Sequence, residues 1–201
     1  MQIWVGLGNP GAQYAGHRHN IGFMAIDAIG DCYGFSPEKT RFKGLTREGS
    51  ISANGRPVKI LLIKPSTFMN ESGRAVQQAM QFYKVGLDDV IVFHDELDLA
   101  PGKMRHKLGG GIAGHNGLRS IRQNSGADFH RIRLGIGHPG HKDKVHSYVL
   151  SNFAKAEQPW VEDMTDALAR AADHLAAGEF DKYQTRVDLL APPPSAPARR
   201  N

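Results

Sequence analysis

A chain of 201 residues with 40% hydrophobic and 22% charged side chains has the size and make-up of one globular domain with its own core, which excludes a disordered or fibrous main body. No apolar run approaches the roughly 20 residues of a membrane span, and the start MQIWVGLGNPG has neither the basic nor the long apolar region of a leader, so a cytoplasmic protein with no membrane partner is expected. The net charge of +5 is unevenly spread: residues 102–150 carry nine Lys or Arg against two acids and six of the ten His, while the remainder sums to −2, which points to an anionic partner such as nucleic-acid phosphates.

Ile3–Leu7 is a short apolar run that predicts a buried strand, ending in a turn at Asn9-Pro10-Gly11. From Asn20 the pattern Ile21, Phe23, Met24, Ile26, Ala28, Ile29 predicts a helix to about Tyr33, stopped by Gly34. Cys32, within that pattern, reads as core, and as the single cysteine it excludes an internal disulfide or a zinc site of paired thiolates. Thr46–Ser52 and Pro57–Ile63 flank Asn54-Gly55, a strong hairpin signal. A helix is predicted over Ser72–Lys84, with Gly86 past its end, and the continuous apolar run Val90–Phe93 predicts a central strand buried on both faces, with His94-Asp95 at its end.

A further strand around Lys103–Lys107 leads to the glycine-rich stretch Gly109–Gly114 and a helix near Asn116–Gln123. Arg131–Ile136 alternates charged and apolar residues as a strand does, and Gly137–Gly140 turns the chain. Helices are expected over Val145–Phe153, Pro159–Ala177 and a weaker segment to Leu190, followed by a proline-rich tail, 191–201, that reads as disordered. Strands interleaved with helices, plus one hairpin, predict a single α/β domain, 1–190, with a twisted mixed sheet flanked by helices.

Three groups of residues could carry chemistry. Gly6-Leu7-Gly8-Asn9-Pro10-Gly11 matches G-x-G-x-x-G, but polar residues 13–20 separate it from the next helix, whereas a dinucleotide site needs a helix opening on the glycine turn. The stretch His94-Asp95-Glu96-Leu97-Asp98 is rich in hard metal ligands, yet neighbours on a strand point to opposite faces, so His94 and Asp95 should not converge on one ion. No G-x-S-x-G nucleophile elbow occurs, which leaves direct attack by water with a general base; His19, on a loop before an apolar helix, is the candidate base.

The motifs GLGNPGAQYAGHRHNIGF, KPSTFMNESG, HDELDLAPGK, LGGGIAGHNGLRSI and FHRIRLGIGHPG, in this order from residue 6 to about 140, together resemble bacterial-type peptidyl-tRNA hydrolase. The resemblance implies a monomeric enzyme that cleaves the ester between a peptide and the 3′ ribose of tRNA, with neither cofactor nor metal. It implies a catalytic set of His19, its acidic partner Asp95, and Asn9; substrate binding by Tyr14, Met69, Asn70, His115 and Asn116; and tRNA phosphate contacts, along the acceptor arm, at Lys103, Arg105, Lys107, Arg133, Lys142 and Lys144.

Each implied role suits its residue type. A neutral imidazole takes a proton from attacking water near pH 7, an aspartate fixes its tautomer, and carboxamides donate to a developing oxyanion without titrating. Which of Asn9, Asn70 and Asn116 faces that oxyanion is open, and Asn-Pro-Gly is equally explained as turn chemistry. Two other readings stand beside this one: a noncatalytic RNA-binding protein on the same scaffold, and a metal-dependent phosphodiesterase built on His94–Asp98, which chelation would silence.

Overall fold

Alternation along the first strand sets the layers. In the computed structural model, which describes residues 1–195, Ile3 and Val5 of β1 (Gln2–Gly6) pack to one side with two helices, and Trp4 packs to the other with the rest of the helices. The sheet has seven strands in the order β2-β3-β4-β1-β5-β7-β6, from β2 (Lys39–Arg41), β3 (Gly44–Ala53), β4 (Arg56–Pro65), β5 (Val90–Glu96), β6 (Met104–Leu108) and β7 (His130–Gly135). The central four, β4, β1, β5 and β7, are parallel, while β2, β3 and β6 are antiparallel additions. The chain moves to β4 on one side of β1 and to β5 on the other, so the carboxyl ends of β1 and β5 form the crevice where open α/β sheets bind ligands.

One face is covered by α2 (Ser72–Tyr83) and α3 (Asn116–Ser125), which pack Val76 and Leu118 over Val5, Ile63 and Val92. The other carries α1 (Ile21–Cys32), α5 (Gln158–Arg170), α6 (Ala172–Ala176) and α7 (Phe180–Leu190), over Trp4, Leu62, Phe93 and Ile132; the short α4 (Val145–Val149) packs at its border. All seven residues of β5 are buried, as the continuous apolar run predicted, and the burial extends through His94, Asp95 and Glu96. Asn54 and Gly55 both have positive φ and close the expected hairpin.

Several local expectations are corrected. Cys32 is exposed rather than core, because the buried stripe of α1 stops at Gly30. The helix α2 ends on the left-handed Lys84 (φ 55°), with Gly86 past its end as expected. The strand β2 was unforeseen: its turn uses Phe42 and Lys43, both at positive φ, so no glycine marks it. The helix expected to reach Phe153 stops at Val149: the N–H of Ser151 turns back to Tyr148 O, and that of Phe153 donates to Gly16 O rather than to Val149 O. The helix expected over Pro159–Ala177 breaks at Ala171. The tail boundary at 191 falls early, because Ala191 is buried and Pro194 lies against Gly102; residues 196–201 of that expected disordered tail lie outside the described residues.

Candidate active site

Two glycines decide where the site forms. A Cβ on Gly22 would lie 2.4 Å from Phe93 O and 2.6 Å from Leu7 N, and one on Gly6 would lie 2.4 Å from Gly22 O. Only glycine lets α1 start this close to the carboxyl ends of β1 and β5. Gly6 and Gly8 of the G-x-G-x-x-G thus serve helix packing, Gly8 against the Phe23 ring, and only the single 3-10 turn Ala12–Tyr14, not an α-helix, opens on Gly11. The tight turn Arg18–Asn20 that leads into α1 is held above β5, which carries Asp95.

His19 Nδ1 lies 2.9 Å from both carboxylate oxygens of Asp95, and His115 Nε2 lies 2.9 Å from one of them. The tautomers follow from the partners. His115 caps α3: its Nδ1 accepts from the N–H of Gly117 (3.1 Å) and of Leu118 (3.4 Å), so its proton sits on Nε2 and is donated to Asp95. His19 donates from Nδ1, which leaves the lone pair of a neutral ring on Nε2. Burial lowers the His19 pKa, but the charge and hydrogen bond of Asp95 outweigh it and the net shift is upward from 6.5. Burial alone would raise Asp95; the two imidazoles hold it well below the ordinary carboxylate value.

His94 leaves β5 on the face opposite to Asp95, as strand alternation requires, and stands edge-on to His115 with ring centroids 5.2 Å apart. It is fully buried, its Nδ1 donates to Asp95 O at 2.8 Å, and its Nε2 has no partner among the described residues. Burial, with His115 alongside, lowers its pKa to about 3. The acidic stretch divides likewise: Glu96 accepts from Arg133 (3.0 Å) and from the N–H of Asp98 (3.1 Å). The cluster that could hold a cation is therefore His19, Asp95 and His115, not His94–Asp98. To ligate through Nε2, His115 would have to move its proton to Nδ1, against the two N–H groups of α3, so the donor set fits a hydrogen-bonded triad better than a metal centre.

Asn9 is more than a turn residue. Its Oδ1 accepts from Met69 N–H (2.8 Å), while its backbone exchanges a pair of 2.9 Å bonds with the side chain of Asn20, a buried residue that sequence reading did not single out. With the oxygen committed, the NH2 of Asn9 is the group left to donate. The same bond seats Met69, which is buried, and leaves Asn70 exposed beside it in the turn Met69–Glu71; Asn116, also exposed, follows His115 at the start of α3. Tyr14 stands edge-on to Phe68 with ring centroids 6.3 Å apart, and Phe68 is exposed.

The basic residues separate into three kinds. Lys107, Lys142 and Lys144 are exposed and Lys103 half-buried, and none forms an ion pair among the described residues. Arg105 holds Asp188 at 2.9 Å and Arg133 holds Glu96 at 3.0 Å. Arg131, counted with the basic segment, is buried, donating to the carbonyls of Gly110 and Gly111, so it is no part of an anion-binding surface. It was missed as an internal anchor because an alternating strand with charged residues reads as half-exposed.

A buried carboxylate that orients an imidazole, with that ring's second nitrogen left unbonded among the described residues, is an arrangement able to do the proton-transfer chemistry of a hydrolase. The peptidyl-tRNA hydrolase family profile matches residues 3–194. The chain is 60% identical over 189 residues to a peptidyl-tRNA hydrolase of Novosphingobium aromaticivorans, covering 94% of this chain and 97% of that one, and 56% identical over 194 residues to one of Cereibacter sphaeroides, covering 96% and 84%. A crystal structure of peptidyl-tRNA hydrolase from Acinetobacter baumannii superposes with a TM-score of 0.86 at 38% identity, covering 93% of this chain and 94% of that one. The chain belongs to the peptidyl-tRNA hydrolase family.

Proposed function

We propose that the protein hydrolyses the ester joining a peptide to the 3′ ribose of tRNA by direct attack of water, with His19 as general base. The activity rests on family membership; the division of labour rests on the geometry of the site. The observation that carries it is the 2.9 Å contact of His19 Nδ1 with the buried carboxylate of Asp95, which leaves Nε2 open.

Water adds to the ester carbonyl as His19 Nε2 takes its proton. The imidazolium so formed is stabilised by Asp95, which accepts from His115 as well and stays ionised throughout. The negative charge on the former carbonyl oxygen is met by carboxamide N–H groups, among which the NH2 of Asn9 is pre-aimed by the Met69 bond to its oxygen. Collapse breaks the bond to the ribose oxygen, which leaves with the proton from His19, giving free tRNA and a peptide acid. Asn70, Asn116, Tyr14, Met69 and His115 hold the peptide end, while Lys103, Arg105, Lys107, Arg133, Lys142 and Lys144 meet the phosphates of the acceptor arm. The working form is a monomer in the cytoplasm; among the described residues no helix is long and apolar enough to cross a membrane.

The noncatalytic reading is disfavoured because His19 is oriented by Asp95 and Asn9 by Met69 N–H, each with a reactive group left open. The test is release of N-acetyl amino acid from N-acetylaminoacyl-tRNA in EDTA by wild type and His19→Ala. Turnover that persists in EDTA and falls by about 10²–10⁴ in the variant is expected. Undiminished turnover in His19→Ala would sink the reading, and activity restored only by added metal would return it to metal chemistry. Because the His19 pKa is raised above 6.5, kcat/KM should fall as pH drops through a value above 6.5, where the base becomes protonated.

A further inference from the structure

Arg18 directly precedes the base, is 8% exposed, and has no part in the mechanism above. Its guanidinium is enclosed by a segment more than 130 residues away. Nη1 donates to Ser151 Oγ and Asn152 O, both at 2.7 Å, and Nη2 donates to Glu157 at 2.5 Å. The Tyr148 ring lies 4.5 Å from Cζ and the Phe153 ring 5.4 Å. The backbones join too: Arg18 N–H donates to Ser151 O (3.0 Å) and Phe153 N–H to Gly16 O (3.1 Å).

This segment carries Lys142 and Lys144. Residues Lys142–Lys144 form a tight turn that runs straight into α4, so Tyr148 sits about one helical turn beyond Lys144. Tyr148 also bonds Ile136 O, just past β7, at 2.5 Å. A lysine pair on the surface, an enclosed guanidinium and the open nitrogen of His19 thus lie along one short, continuously bonded path.

Stability alone is a weak reason for such a residue, because a buried ion pair is often replaceable by apolar side chains without loss. What apolar side chains cannot copy is the planar fork, which fixes three acceptors on two sides at once. We propose that Arg18 is a positioning residue that makes the Lys142–Glu157 segment and the His19 turn one rigid unit, so that a phosphate held by Lys142 or Lys144 helps to set the base. The inference rests on the reading of His19 as base and of these lysines as phosphate contacts.

The test compares kcat and KM on N-acetylaminoacyl-tRNA for wild type, Arg18→Lys, the double variant Lys142→Ala/Lys144→Ala, and the triple variant, with the pH dependence of kcat for each. All are assayed where circular dichroism shows them folded. Arg18→Lys should lower kcat about 10- to 100-fold with KM changed less than about threefold, the loss expected of a base displaced by up to about 1 Å. Its pH midpoint should fall toward 6.5 as the Asp95 contact that raises it loosens. The lysine pair should raise KM and also lower kcat, and the kcat loss should not multiply in the triple variant.

Wild-type kcat and an unmoved pH midpoint in Arg18→Lys, or kcat losses that simply multiply, would overturn the proposal. Should Arg18→Lys fail to fold, Glu157→Gln loosens the same fork from the other end, and an unmoved midpoint there overturns it equally. His19→Ala separates the two levels. If that variant keeps turnover, the reading of the base fails; if it is dead while Arg18→Lys behaves as wild type, only the coupling fails.

Discussion

The surroundings of Asp95 and the basic rim of residues 102–150 solve opposite problems. Around Asp95, two imidazoles and a carboxylate are held out of water, and Asn9 and Asn20 lock the loop beside them. On the rim, Lys107, Lys142 and Lys144 stand exposed with no carboxylate paired to them among the described residues. Buried charges interact strongly and pay heavily for any missing partner, whereas exposed ones act over about 8–10 Å and are screened by salt. The first arrangement suits bond cleavage at one point, the second the gathering of a polyanion whose bases need not be read. Arg105 and Arg133 lie between, each oriented by a carboxylate yet partly open.

The largest effect should come from Asp95→Asn, which tests whether the buried half depends on charge or only on shape. Two imidazole N–H groups converge on this carboxylate. A carboxamide keeps one oxygen for the site that both rings share but sets its NH2 against His19 Nδ1, which contacts both oxygens, and so favours the wrong tautomer of His19. A kcat loss of about 10⁴ is expected, as for wrong-tautomer variants of other His–Asp pairs. Retention of kcat within about tenfold would show that the pair only packs. Asn9→Ala comes next, with a loss of about 10²–10³ in kcat and KM little altered, since the lost donor acts on the oxyanion. A loss confined to KM would assign Asn9 to ground-state binding.

How much of this was legible differs between the same two regions. The strand Val90–Phe93, the hairpin at Asn54-Gly55 and the helix from Asn20 carry local signals, periodicity and turn chemistry, and each forms where expected. The resemblance put His19 and Asp95 together, and the structure brings them within hydrogen-bond reach. What stayed hidden depends on distant partners. The resemblance put His115 at the site as a substrate-binding residue, but its bond to Asp95 and its cap on α3 emerge only when that helix is docked and its Nδ1 meets two helix N–H groups. Arg131 looks like surface charge until the glycine stretch folds over it, and the early end of α4 makes sense only once Gly16 O is there to take the Phe153 N–H. Cys32 shows the converse, an apolar pattern continuing past the last residue that the sheet covers.

A smaller effect sharpens the cost of the buried half. His94 is neutral in the folded protein, its pKa lowered to about 3, while the unfolded chain takes a proton near 6.5. The unfolded state therefore binds more protons below 6.5: this contribution is fully present above that pH and is lost as pH falls toward 3, by about 2 kcal/mol at pH 5. Asp95 acts in the same direction below its ordinary value, whereas the raised His19 pKa acts oppositely, favouring the folded state below 6.5 and losing that contribution as pH rises. Denaturant unfolding at pH 7.5 and pH 5 should show the drop in wild type, and His94→Gln should lessen it. An equal drop in both would mean that His94 is not the group responsible.

The smallest effect belongs to the rim and separates it most cleanly from the site. Lys107→Ala should leave kcat at saturating substrate unchanged and lower kcat/KM at low salt. The slope of log(kcat/KM) against log salt should become shallower by roughly 0.7–0.9, the counterions of one phosphate. Asp188→Asn should do the reverse for Arg105, freeing its guanidinium for a phosphate and steepening the slope. The two substitutions remove opposite charges near neighbouring residues of β6, so a rim that gathers anions must respond to them with opposite signs. If both move the slope in one direction, or neither moves it, the exposed lysines of this edge are solvated charge and the substrate's phosphates are held elsewhere.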